Sequence, residues 1–282
     1  MSLKIRRLSY ALGAEVSGVD LRLPLDGNSF SAIHRAFLEH GVLLFRGQPL
    51  TREQHIAFSR RFGELDRNEG KQRPAEFAEV SLIISKPKAN GEPPAGRYTG
   101  QEWHTDRSNL PIAAAASLLR SVEVPAVGGD TMFANMYRAY ETLSDGMKDL
   151  IGDLYGIHKT GKANFDSGAP GPELESPAAA HPVVRVHPET GHKALYVSEQ
   201  VRSFVGMTVE ESKPLLQYLT HHAVRPQNVY RHRWQKDDLL MWDNRCLLHI
   251  ALADYDRTQV RHMERTTVNG MPSGYAYGGA AV

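Results

Sequence analysis

Residues 114–124 form an apolar run with little polar interruption, closed by a Pro125–Gly129 turn. A run of this length with turn residues after it reads as a strand buried on both faces. Two more such runs follow the same rule: residues 41–47, bounded by glycines, and residues 238–249, with 263–268 after them. The strands dominate the middle and the end of the chain, and helices cluster early and between them. This is not the regular βαβ alternation of a dinucleotide-binding fold. Neither G-x-G-x-x-G nor G-x-x-x-x-G-K-[ST] occurs, so nucleotide-loop readings have no support.

The remaining elements fill in around those strands. A helix is expected over 29–40, with Asn28 as N-cap, an Ile33/Phe37 stripe and Gly41 as its stop. A second starts at Thr51, with Gln54 completing a capping box, and ends at Gly63. Residues 64–103 read mostly as loop with one strand at 80–84. Another strand is expected at 130–134, then helices at 137–143 and 144–154. Residues 159–182, rich in Gly, Pro, Ala and Ser, form the longest candidate loop and a candidate lid. A hairpin is expected at 183–197 around a 188–191 turn, and a Thr208/Glu211 capping box opens a helix through Leu219. No linker divides the chain, so residues 1–282 are expected to form one domain.

Composition narrows the function. A net charge of +1 gives no reason to expect nucleic acid or a membrane surface as partner, and 41% hydrophobic with 23% charged residues is ordinary for a soluble globular protein. The one cysteine, Cys246, cannot form an internal disulfide, and the start of the chain lacks an apolar signal run. The expectation is a cytoplasmic protein.

Thirteen histidines draw attention to metal chemistry. His104 and Asp106 form a His-x-Asp pair, and on extended backbone residues i and i+2 point the same way. The spacing alone is weak: with thirteen histidines such a pair arises about once by chance. Its rivals are His187 with Glu189, on an expected solvated hairpin end, and His262 with Glu264, beside Arg261 and Arg265. His249 closes the apolar 239–249 run and is either a further ligand or simply the end of a core strand. Arg261 and Arg265 are either surface arginines or, on a returning strand, holders of carboxylates.

Taken together, several ordered motifs make the chain resemble the taurine and 2,4-dichlorophenoxyacetate dioxygenase family over nearly its whole length. They are Gly13 to Asp20, Phe58 to Gly63, Trp103-His104-Thr105-Asp106, Gly128-Gly129-Asp130-Thr131, Trp242-Asp243-Asn244-Arg245, His249, and Arg261 with Arg265. The resemblance implies a mostly β fold with helical insertions around a double-stranded β-helix (jelly-roll) core. It implies that His104, Asp106 and His249 bind iron(II), that Thr131 and Arg261 hold the distal carboxylate of 2-oxoglutarate, and that O₂ is the oxidant. Arg265, with Lys71 as a further contact, is expected at the anionic group of the substrate. A small-molecule substrate and a homo-oligomeric state are expectations that rest on this resemblance and not on composition.

Hydroxylation would then yield succinate and CO₂. Gly100 stands where taurine enzymes carry an amide side chain and Asn68 near where they carry histidine. The 229–234 and 241–246 segments resemble the aryloxyalkanoate branch more. An organic carboxylate is the favoured substrate, with a sulfonate or sulfate ester as alternative. A metal-free jelly-roll binding protein and a zinc hydrolase are the rival classes. Neither explains Thr131 together with Arg261.

Overall fold

In the computed structural model the described residues are 3–67, 73–94, 100–160 and 177–278. In chain order, β1 (Lys4–Arg7) and β2 (Ala14–Ser17) lead to α1 (Gly27–His40), β3 (Val42–Phe45), α2 (Arg52–Ser59) and β4 (Ser81–Ser85). Then come β5 (Ala114–Glu123), β6 (Thr131–Asn135), α3 (Met136–Glu141), α4 (Asp145–Ile151), β7 (Tyr155–Lys159), β8 (Ala178–Pro182), β9 (Val184–Val186) and β10 (Lys193–Leu195). The chain continues with β11 (Val201–Phe204), α5 (Val209–Ala223), β12 (Val229–His232), β13 (Leu239–Asp243), β14 (Leu247–Ala251), β15 (Arg261–Asn269) and β16 (Tyr275–Ala276).

A seven-stranded sheet runs β1-β2-β3-β13-β5-β15-β4, and a three-stranded sheet runs β12-β6-β14. β7, β8, β11 and β16 form a third sheet, and β9 and β10 pair as the expected hairpin. One core cluster takes Leu119, Leu240, Trp242 and Met263 from the large sheet and Phe133, Ala134, Leu247 and Leu248 from the small one, so the two sheets bury their faces together. The opposite face of the large sheet, including Leu43, Phe45, Leu118 and Met241, packs on Ile33, Phe37, Ile56 and Phe58 of α1 and α2. This double burial explains why β3, β5 and β13 lack the alternation of a half-exposed strand.

Both expected capping boxes are present: Thr51 with Gln54, and Thr208 with Glu211. The N-cap of α1 is Asp26 rather than Asn28; its carboxylate accepts from the Ser29 N–H at 2.8 Å. The larger difference lies at 238–249. One strand was expected, but the chain breaks after Asp243, turns through Asn244, Arg245 and Cys246, and resumes as β14 in the other sheet. Hydropathy does not register the break, because the turn is as buried as the strands it joins.

Candidate metal centre

His104 and His249 meet across an isolated antiparallel bridge. Each backbone N–H donates to the other's carbonyl, at 3.0 and 2.8 Å. The pairing sets the two imidazoles with ring centroids 4.1 Å apart. After His104 the backbone does not stay extended. Asp106 opens a turn in which Arg107 has φ 58°, and that turn brings the carboxylate back to the imidazoles. Nε2 of His104 lies 4.0 Å from Asp106 Oδ1, and Nε2 of His249 lies 3.9 Å from Oδ2.

These separations are too long for hydrogen bonds. They are also shorter than twice a metal–ligand bond of about 2.1 Å, so one ion can take an atom from each residue. His104 Nδ1 sits 2.7 Å from the Glu102 carbonyl. That oxygen can only accept, so Nδ1 carries the proton and Nε2 keeps its lone pair for a metal. Burial, then the neighbouring His104, holds His249 well below the usual imidazole range, so it is neutral. Burial alone would raise the Asp106 pKa, but the Arg265 guanidinium, the largest opposing cause, outweighs it and holds the group far down as a carboxylate. Two neutral imidazoles and one carboxylate suit iron(II) with open positions left over. The His249 ring is walled by Trp242 and Phe133, at centroid distances of 4.8 and 6.2 Å.

β15 carries Arg261 and Arg265 on one face, with buried Met263 between them. Arg265 Nη1 donates to Asp106 Oδ1 at 2.7 Å. Arg261 is buried, and its Nε donates to the Gly129 carbonyl at 3.1 Å. The Gly128-Gly129 pair makes that approach possible. Gly129 has φ +69°, and a Cβ there would press on Arg261 Nε at 3.3 Å. A Cβ on Gly128 would lie 2.2 Å from the Asp254 carbonyl oxygen. In the β6–β14 register Phe133 opposes His249 and Thr131 opposes Ala251. Thr131 therefore shares the His249 face, two positions along, and its Oγ1 accepts from Trp234 Nε1 at 3.0 Å. Lys71, Asn68 and most of the 159–182 segment lie outside the described residues.

A second set of metal-capable groups, His187, Asp243 and Cys246, is fully buried. The expectation that His187 is a solvated hairpin end is overturned: its Nε2 lies 3.0 Å from Asp243 Oδ2. Arg245 grips both oxygens of Asp243, at 2.8 and 2.7 Å, and also donates to Glu189. Burial would raise Asp243, but the Arg245 and His187 hydrogen bonds hold it down to about 2. Burial, then Asp243, pushes the Cys246 thiol well up. A carboxylate already matched by a guanidinium, beside a protonated thiol, is a poor cation site and a good brace for the β13–β14 turn. Glu264, the acid of the other rival pair, is taken by Arg52 and Arg120. Sequence reasoning missed this brace, although charged residues directly after the buried Trp242 were its visible signal.

The chain matches the family model described as "Taurine catabolism dioxygenase TauD, TfdA family" over residues 4–267. It is 35% identical to the alpha-ketoglutarate-dependent 2,4-dichlorophenoxyacetate dioxygenase of Cupriavidus pinatubonensis, over 95% of this chain and 98% of that one. It is 33% identical to an alkylsulfatase of Acinetobacter baylyi, over 98% of this chain and 88% of the other. A taurine dioxygenase structure from Burkholderia xenovorans superposes with TM-score 0.82 at 36% identity, covering 99% and 96% of the two chains. The chain belongs to the TauD/TfdA dioxygenase family. Its enzyme class is 2-oxoglutarate-dependent dioxygenase, with iron(II), 2-oxoglutarate and O₂ as the reaction's cofactor and co-substrates.

Proposed function

We propose that this family member hydroxylates a small organic anion, with an aryloxyalkanoate-like carboxylate favoured, and converts 2-oxoglutarate to succinate and CO₂. The observation that carries the reading is the convergence of His104, Asp106 and His249 beside a strand presenting Arg261 and Arg265 on one face. The wrap of β13 into β14, from one sheet to the other, supports reading the core as a double-stranded β-helix.

The roles follow from what each side chain can do. His104, Asp106 and His249 would hold iron(II), which supplies O₂ activation when bound. Buried Arg261 stays charged and can take a carboxylate in two parallel N–H···O bonds, and Thr131 lies two positions along the His249 face. Arg265 spends Nη1 on Asp106, while its Nε meets no partner among the described residues. The side chain is 25% exposed, so the rest of its guanidinium can read a substrate anion. Phe133 and Trp242 keep water from the imidazoles. A Cβ on Gly100 would lie 3.3 Å from His104 Cε1, at a φ of +81° that side chains avoid. The bare backbone leaves the approach to the metal without the amide of taurine enzymes, which favours a bulkier substrate than taurine.

The test is succinate release with iron(II), 2-oxoglutarate and a panel: an aryloxyacetate, its methyl amide, an alkyl sulfate ester and taurine. The expected order is acid above sulfate ester above taurine, with the amide slow because a neutral group forms weaker bonds than a carboxylate with the remaining N–H donors of Arg265. Equal turnover of acid and amide would reject anion recognition, and fastest turnover of the sulfate ester would move the substrate to that class.

A further inference from the structure

We infer that Ser117 and Asn244, which belong to no metal-ligand set, are positioning residues that set the Asp106 carboxylate through a closed circuit of hydrogen bonds. The inference rests on the iron-site reading above. Both side chains are completely buried, Ser117 on β5 and Asn244 in the turn between β13 and β14.

The direction of every bond in the circuit is fixed by donors that cannot accept. Asn244 Oδ1 receives the Asp106 backbone N–H at 3.2 Å and the Trp242 indole N–H at 3.0 Å. Its remaining amide nitrogen then has to be the donor to Ser117 Oγ, at 2.9 Å. With its oxygen accepting from Asn244, the Ser117 hydroxyl gives its own proton to Asp106 Oδ2, at 2.6 Å. The circuit thus begins on the backbone of Asp106 and ends on its carboxylate. Bonds of this kind polarise one another in sequence.

The same turn is held at both ends. The Asn244 N–H donates to the Ala115 carbonyl at 2.9 Å, and its carbonyl accepts from Thr105 Oγ1 at 2.8 Å. Arg265 occupies the other carboxylate oxygen, Oδ1. Each Asp106 oxygen therefore has one fixed donor, and the carboxylate cannot rotate without breaking at least one charge-assisted bond. The two bonds thereby aim the carboxylate at the two imidazoles, whose Nε2 atoms lie 4.0 and 3.9 Å from its oxygens. A structural role alone would require only that the buried polar atoms find partners. It would not require the circuit to close on a ligand. Asp243 and Arg245, on either side of Asn244 in the chain, bind each other, and His187 of the β9–β10 hairpin holds Asp243.

The experiment measures Mn(II) affinity by calorimetry on the metal-free full-length protein, together with its melting temperature. Ser117→Ala is expected to weaken Mn(II) binding about 10- to 100-fold, as loss of an outer partner does elsewhere. Ser117→Thr, which keeps the hydroxyl, should return affinity to within about threefold of wild type. Asn244→Ala should cost less affinity in the Ser117→Ala background than in wild type, because the circuit is already open. If the double variant does not fold, the Ser117 pair decides alone. Mn(II) affinity of Ser117→Ala within twofold of wild type, or Ser117→Thr as weak as Ser117→Ala, would overturn the inference even if melting temperatures fall. Wild type that binds no Mn(II) would overturn the iron-site reading instead, so the two failures are distinguishable.

Discussion

Replacing Arg265 by methionine keeps the aliphatic stem and removes the charge that faces Asp106. Asp106 is buried, and its Oδ1 accepts from Arg265 at 2.7 Å. Breaking a fully buried ion pair typically costs about 3–5 kcal/mol, because the survivor is left uncompensated. The Arg265 side chain is 25% exposed, so solvent screens part of this and about 2–3 kcal/mol is the expected loss. For 282 residues the unfolding entropy is about 0.6 kcal/mol per kelvin, which converts the loss to a melting-temperature drop of about 3–5 °C in metal-free protein. A bound divalent ion faces the same carboxylate, so with Mn(II) the deficit should shrink to less than about 2 °C.

The pH dependence has a definite sign. In wild type the folded Asp106 pKa lies below its ordinary 3.8, so its contribution is present above that value and fades as pH falls towards the folded pKa. Without Arg265, burial pushes the folded pKa upward, and the carboxyl's contribution is instead lost as pH rises through it. The metal-free deficit should therefore be larger at pH 8 than at pH 5. Calorimetry of EDTA-treated and Mn(II)-loaded protein at both pH values reads all of this. A deficit that is identical with and without metal and at both pH values would refute the argument, leaving Arg265 a packing residue.

Further outcomes follow from other parts of the molecule. Arg261→Ala should raise the 2-oxoglutarate KM at least about thirtyfold, corresponding to roughly 2 kcal/mol or more for a lost buried charge contact, while Mn(II) affinity changes less than about twofold; an unchanged KM would remove Arg261 from the co-substrate site. Gly128→Ala places a Cβ 2.2 Å from the Asp254 carbonyl oxygen, whereas a Cβ on Gly47 meets nothing within 4 Å. The first should cost roughly 3 kcal/mol or more and the second about 1, and equal thermal losses would argue against the tight turn. Burial holds His55 down to about 3 and lowers His158, His181 and His232, so these rings stay neutral in the fold. The unfolded chain takes up protons below the ordinary 6.5 and the folded chain does not, so urea midpoints should fall progressively as pH drops below about 6.5; a flat profile from pH 7.5 to 4.5 would contradict this.

Much of the site was legible because its chemistry sits in short motifs. The His104/Asp106 pair, His249 and the two arginines four apart were visible as residue types at fixed spacings. The structure brings the three expected metal ligands together. The route was partly wrong. Asp106 reaches the site from a turn rather than an extended strand, and a turn through Arg107 at positive φ has no glycine to announce it. The strand break at Asn244 was hidden for a similar reason. Its charged residues satisfy one another in the interior, so neither exposure nor a proline–glycine signal marks the crossing. Ser117 is one of the few polar interruptions of the 114–124 run, and only the bond to Asp106 gives it meaning.

The central claim is tested most directly by a crystal structure of the protein soaked anaerobically with Mn(II) and 2-oxoglutarate, with the metal located by its anomalous signal. The account predicts a single strong peak within about 2.2 Å of one atom each from His104, Asp106 and His249, with the co-substrate's far carboxylate on Arg261 and Thr131. A peak between His187, Asp243 and Cys246, or 2-oxoglutarate bound away from Arg261, would contradict it.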